Sequence, residues 1–333
     1  MLSGGKRLRA PAANSKVNYS PSPLQTYMGR AQTYAESAKH RGKTIIFAAV
    51  MKPFRLLIAA AFLTVLGLSQ ARGQIITTRN DSQIINTDSV RRAFDDQPYF
   101  GLYKDNYFIF GPSVGPKATK ENTNVKFQIS VAQRLTRSTL PWGTYLYLFY
   151  TQKVFWNVLE KSFPMTDLNF NPGVGLAKPL FVKNRFIGKL MMVLEHESNG
   201  RDGIESRSWN KISFGANIIV DPQFMIHGKF WIPFVDGENN PDILDYCGIY
   251  QTGMTFNTAD QRFGAGITLV KRRGFQLNYN TIIELNYRLF KRDNQYLFLQ
   301  YYNGYGEGLL DYNKFHSQLR VGIVIKPLHF SDF

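Results

Sequence analysis

The sequence predicts an all-β fold: an antiparallel transmembrane β-barrel of about twelve strands within residues 74–333. Three observations lead there. From Gln74 onward, apolar and polar residues alternate with the two-residue period of a strand, and no helical period of useful length is sustained. The alternating segments run to roughly 9–13 residues, about the length of a tilted strand that crosses a bilayer. Their polar faces mix Glu, Arg, Lys and Asn as a wet lumen would, while the 26 Phe and 18 Tyr gather at strand ends as interfacial girdles do.

The chain begins with residues 1–50, which are polar, rich in Ala, Ser, Lys and Arg, and without period. They read as a disordered extension ahead of a true start at Met51. Residues 51–73 have the layout of a secretory signal peptide. Lys52 and Arg55 supply a positive start, Leu56 to Leu68 an uncharged apolar run, and Ala71 and Gly73 the small residues before Gln74. That run is shorter than the ~20 residues of a spanning helix. These segments also locate the charge. Residues 1–50 hold eight Lys/Arg against Glu36, and Lys52, Arg55 and Arg72 add three more, so +10 of the formal +16 precedes residue 74. The remainder is an ordinary surface charge, and a nucleic-acid partner is not expected.

Within the barrel region the alternation is explicit. Val125, Phe127, Ile129 and Val131 oppose Lys126, Gln128 and Ser130; Phe275 to Leu289 and Leu319 to Ile325 repeat the pattern. Similar stretches begin near residues 104, 143, 172, 187, 208, 223, 244, 261 and 294, separated by breaks such as Asp236-Gly237-Glu238-Asn239-Asn240-Pro241. The chain ends in Phe333 after its last strand, as outer-membrane barrels commonly do. A soluble sandwich is the competing architecture. Cys247 is the single cysteine, so an intramolecular disulfide is excluded, and it reads as a small buried side chain.

One stretch carries chemistry: His196-Glu197-Ser198-Asn199-Gly200-Arg201, followed by Ser206-Arg207-Ser208-Trp209-Asn210. A base and a nucleophile two residues apart share one face of a strand, within reach of the hydrogen bond that activates a serine. Asn210, on a paired strand, suits the third role of holding the imidazole. Parity then says which side of the wall they occupy. Leu190, Met192 and Leu194 share a face with His196 and Ser198, opposite Glu195 and Glu197. Ile212, Phe214, Ala216 and Ile218 share a face with Asn210. Glutamates facing lipid are costly, so the apolar face points outward and takes His196, Ser198 and Asn210 with it. A site there meets lipid. His227 reads as a lumen residue, and His316 and His329 belong to the C-terminal strand region.

At these residues the chain resembles the outer-membrane phospholipase A family, whose His-x-Ser-Asn-Gly-Arg … Ser-Arg-Ser-Trp-Asn signature it carries with matching spacing. Tyr150-Thr151-Gln152-Lys153, Asn240-Pro241-Asp242-Ile243, Gly304-Tyr305-Gly306-Glu307 and Asp311-Tyr312-Asn313 extend the likeness over nearly all of residues 100–333. The resemblance implies a calcium-dependent phospholipase A1/A2 and lysophospholipase that cleaves acyl esters of membrane phospholipids. It implies Ser198 as nucleophile, His196 as general base, Asn210 as the orienting residue and the Gly200 backbone as oxyanion donor. It implies an active homodimer in the outer membrane, with the active site at the outer leaflet and Gln152 at the dimer contact. Calcium would be met by the Arg201 carbonyl and the Ser206 hydroxyl, with Ser162 supplied by the second copy.

The chain departs from the pattern at one point. The family's acidic residue in the calcium loop falls at Gly203, beside Asp202, and a nearby acidic position reads Asn239. Calcium prefers six to eight oxygen ligands with carboxylates among them, so either weaker binding or recruitment of Asp202 or Glu205 through water is expected. A passive porin-like channel and a lipid A deacylase are the alternative functions for such a barrel.

Overall fold

The computed structural model describes residues 99–327 apart from 137–139, 183–184, 236 and 291–293. The expected extension 1–50, the signal peptide 51–73, His329 and the terminal Phe333 lie outside the described residues.

Strand period becomes one antiparallel sheet. Its strands are β1 (Phe100–Leu102), β2 (Asn106–Pro112), β3 (Thr123–Arg134), β4 (Tyr145–Trp156), β5 (Met165–Val182), β6 (Arg185–Ser198) and β7 (Ser208–Asp221). Then follow β8 (Phe224–Val235), a one-turn helix α1 (Ile243–Cys247), β9 (Tyr250–Asn257), β10 (Phe263–Lys271), β11 (Tyr279–Arg288), β12 (Gln295–Gly304) and β13 (His316–Ile325). Each strand from β2 to β13 pairs with its sequence neighbours, and β13 returns to β2 with Val321 opposite Phe110 and Ile325 opposite Asn106. Twelve strands therefore close a ring, which leaves no sheet edge and satisfies the backbone within the wall. The thirteenth, β1, lies outside that ring: it continues the β2 side of β3, Phe100 opposite Gln133, after the break at 103–105.

Three strand boundaries differ from the sequence reading. β5 starts at Met165 and runs for 18 residues, longer and earlier than expected. The segment from residue 244 opens with α1, because Asn240-Pro241-Asp242 breaks the strand; β9 begins only at Tyr250, after Gly248 ends the helix at φ 78°. Phe275 and Leu277 stand in a loop, 93% and 89% exposed. Gly274 turns the chain there at φ 105°, and the Lys271 Nζ is held by the carbonyls of Arg272 and Gly274.

The two faces of the wall sort as parity requires. On β6, Leu190, Met192 and Leu194 are 41–53% exposed while Val193 and Glu195 are 3% and 4% exposed. In the lumen, Lys126 donates to Gln300 at 2.8 Å and to Glu307 at 3.1 Å, and Arg320 binds Glu307 at 2.6 Å. Lys229 pairs with Glu195 at 2.6 Å. The interior encloses a cavity of about 250 Å³ lined by such groups. At the end of the barrel bearing loops 199–207, 237–249 and 305–315, Trp209, Trp231, Ile243, Leu309 and Tyr312 pack into an apolar cap. Backbone N–H groups of Leu309 and Leu310 donate to Asn169 and Asp167 and fasten that cap to β5.

Candidate active site

β6 and β7 pair so that His196 stands opposite Asn210, with Ser198 opposite Ser208 at the mouth of loop 199–207. The His196 Nδ1 lies 2.9 Å from the Asn210 Oδ1, and both residues are exposed on the outer face. Ser198 is half-buried two positions along the same face. No side-chain hydrogen bond joins Ser198 to His196 among the described residues; such bonds commonly tighten when substrate binds. With the amide oxygen toward the ring, Nδ1 carries the proton and Nε2 is left as the basic nitrogen.

The neighbouring strand shows a compensation. Phe170 opposes Ser198 and Gly173 opposes Glu195, so Pro172 comes opposite His196, where it has no N–H to give. The Asn171 side chain supplies one instead, donating to the His196 carbonyl at 2.9 Å. Gly200 follows at φ 65°, a left-handed conformation that suits glycine, and a Cβ there would come 3.0 Å from the Phe170 ring.

Asn199 organises the loop. It is 4% exposed; its Oδ1 accepts from the N–H of Arg201 (3.3 Å) and Arg207 (2.9 Å), and its Nδ2 donates to the Glu205 carbonyl at 2.8 Å. Asn240 exchanges two bonds of 3.0 Å with the Ser208 backbone and so continues the β7 ladder with a side chain. Sequence reasoning assigned neither a role. The signal available was an asparagine beside a tight loop, where its amide can replace backbone partners.

The expected calcium residues divide between two loops. Arg201 ties loop 199–207 to β5 by donating to the Thr166 carbonyl at 2.7 Å, and its guanidinium also pairs with Glu205. Asp202 is exposed, Ser206 is half-buried, and Gly203 sits at φ 58°. Ser162 is exposed in the β4–β5 loop at φ 67°. Among the described residues no three His, Cys, Asp or Glu side chains gather as a metal site. The donors are nonetheless all oxygen, which fits a hard cation in kind and falls short of the usual carboxylate charge. Gln152 lies on the outer face of β4, where the Tyr150 hydroxyl donates to it at 3.2 Å. Cys247 is half-buried, not fully buried as expected, and desolvation of its thiol pushes it up to about 12, so it stays a thiol. His227 is buried beside Thr268 in the lumen, as its parity requires.

Comparison with known proteins fits this arrangement. A family model described as Phospholipase A1 matches residues 100–325. Phospholipase A1 of Escherichia coli K12 is 32% identical over 215 residues, 61% of this chain and 70% of that protein. The solved outer membrane phospholipase A from Escherichia coli superposes with a TM-score of 0.60 at 27% identity, covering 69% of this chain and 99% of its own. A crystal structure of the Salmonella typhi outer membrane phospholipase dimer with bound calcium also gives a TM-score of 0.60, at 25% identity, covering 70% and 94%. Fold and likeness together define an outer-membrane β-barrel hydrolase. The chain belongs to the phospholipase A1 family.

Proposed function

We propose that this barrel hydrolyses acyl esters of glycerophospholipids, with A1, A2 and lysophospholipase activity, through Ser198, His196 and Asn210 on its lipid-facing wall. The observation that carries the reading is the His196–Asn210 hydrogen bond of 2.9 Å on the outer face. A polar pair directed at lipid is costly for a purely structural purpose. The two loops flanking the site's end of the barrel at 237–249 and 305–315 are longer than the turn 222–223 at the opposite end. Long loops face outward in outer-membrane barrels, so the site stands at outer-leaflet level.

In this mechanism Ser198 Oγ attacks the ester carbonyl carbon as its proton passes to His196 Nε2. The carbonyl oxygen takes up negative charge, and the Gly200 N–H is its backbone donor. Collapse breaks the ester C–O bond, and the departing alcohol takes the proton from His196. Water then attacks the acyl-enzyme as its proton passes to His196; the bond from the acyl carbon to Ser198 Oγ breaks, His196 returns the proton to Oγ, and the fatty acid leaves. Asn210 orients the imidazolium without the charge that a carboxylate would add.

Calcium is part of the proposal. The Arg201 carbonyl, the Ser206 hydroxyl and the Asp202 carboxylate of one copy would hold it, together with Ser162 of the partner subunit. When bound, the ion supplies positive charge near the oxyanion. A ligand shared between copies implies an active homodimer, with Gln152 at its membrane-embedded contact. The test is fatty-acid release from phosphatidylethanolamine in mixed micelles, with lipopolysaccharide as the competing substrate. Release from phospholipid that requires Ser198 supports the reading, whereas deacylation of lipopolysaccharide alone replaces it.

A further inference from the structure

The residues that alternate with the proposed catalytic ones face the lumen and are bonded to one another. Glu197 lies between His196 and Ser198, and Trp209 and Lys211 flank Asn210. The Glu197 Oε2 accepts from Trp209 Nε1 at 3.1 Å and from Lys211 Nζ at 2.9 Å. Lys211 also lies 4.0 Å from Glu195 and 4.2 Å from the Trp209 ring centroid. Trp209 is 3% exposed and meets Trp231 edge-on inside the apolar cap. The His196–Asn210 rung is thus bracketed on its inner side by a diagonal clamp across β6 and β7.

The rung depends on that clamp for two reasons. Lipid tails offer no hydrogen bonds, so the orientation of the outward pair follows from where β6 and β7 hold their backbones. The β5 side gives less support, because the paired register skips from Phe170–Ser198 to Gly173–Glu195 and the site opposite His196 is Pro172. We propose that Glu197 is a positioning residue for hydrolysis, aligning His196 and Asn210 from the opposite side of the wall through Trp209 and Lys211. This rests on the Ser198–His196–Asn210 reading above.

The experiment compares purified Glu197→Ala, Glu197→Gln, Glu284→Ala and Ser198→Ala with the unaltered enzyme. It measures kcat and KM on phosphatidylethanolamine, the rate of Ser198 labelling by a fluorophosphonate, and the urea midpoint in detergent. Glu284 is the control, a luminal carboxylate on β11 that accepts from Gln300 at 2.8 Å. The expected result for Glu197→Ala is a loss of about tenfold or more in both kcat and labelling, with KM nearly unchanged, since small misplacements near a reacting centre are costly. Glu197→Gln keeps an acceptor for both donors and retains most activity. Glu284→Ala keeps wild-type kcat whatever its urea midpoint.

Wild-type kcat in Glu197→Ala, or an equal kcat loss in Glu284→Ala, overturns the proposal. If Glu197→Ala fails to fold, Trp209→Phe removes one donor and keeps an aromatic, though smaller, ring at that position. A labelling rate reduced about threefold or more is then expected, since one of the two hydrogen bonds to the Glu197 carboxylate is lost, and wild-type labelling overturns the proposal. Retained activity in Ser198→Ala would instead remove the catalytic reading itself, so the two failures are distinguishable.

Discussion

Replacing Asn210 by alanine deletes a single hydrogen bond, the 2.9 Å contact to His196 Nδ1. In the ground state that bond joins two neutral groups. In the transition state the ring is an imidazolium, and a hydrogen bond to a charged group is worth about 1.5–3 kcal/mol. Only the excess over the neutral bond's about 0.5–1.5 kcal/mol changes kcat; that excess is about 1–1.5 kcal/mol, so at about 1.4 kcal/mol per factor of ten the loss in kcat is roughly 5- to 12-fold. The exposure of both residues on the outer face favours the lower part of that range. His196 keeps its β7 pairing and the Asn171 bond to its carbonyl, so the base stays near Ser198. Asn210→Ala is therefore partly active, whereas Ser198→Ala has lost the atom that forms the acyl bond. The assay is initial-rate fatty-acid release at saturating micellar phospholipid. An Asn210→Ala rate equal to wild type, or one as low as that of Ser198→Ala, refutes the reasoning.

Met192→Arg, which turns a cation toward the lipid from the middle of β6, should destabilise the folded barrel by about 2–4 kcal/mol in urea titrations from liposomes. Glu307, in the β12–β13 loop, is pushed up by burial but held down at about 2 by Arg320 and Lys126. Its stabilising contribution is complete above its ordinary value of 4.5 and is lost as pH falls through about 2. Glu307→Gln should accordingly cost about 3 kcal/mol near neutrality, with the two urea midpoints converging as pH approaches 2. Chelation of divalent cations should abolish fatty-acid release, and added calcium should restore it. Gly203→Asp, at a φ of 58° that aspartate tolerates better than most residues, should lower the calcium concentration for half-activation by about threefold to tenfold. Unchanged release in chelator removes calcium from the mechanism.

The barrel was legible because a two-residue period is a direct statement about faces. Met192 and Leu194 against Val193 and Glu195 needed only the cost of carboxylates in lipid, and the exposures follow that division. The same parity placed His196 and Asn210 on one outer face, though the rung that sets them opposite each other depends on pairing register, which alternation alone does not fix. Boundaries were less legible. Phe275 and Leu277 continue the alternation of β11, yet a left-handed Gly274 and the carbonyls gathered around Lys271 turn that stretch into a loop. Asn199 and Asn240 were legible as residue types but not as partners, because their bonds reach backbone that only the folded loops bring near. The Glu197 clamp was hidden in the same way: sequence parity shows a luminal glutamate, and only the register of β7 brings Trp209 and Lys211 to it.

The most direct measurement is fatty-acid release from labelled phosphatidylethanolamine by purified, folded protein with calcium, comparing wild type with Ser198→Ala. Release by wild type together with background release by Ser198→Ala is the predicted result. Comparable release by Ser198→Ala would contradict a hydrolytic site on the lipid-facing wall at His196, Ser198 and Asn210.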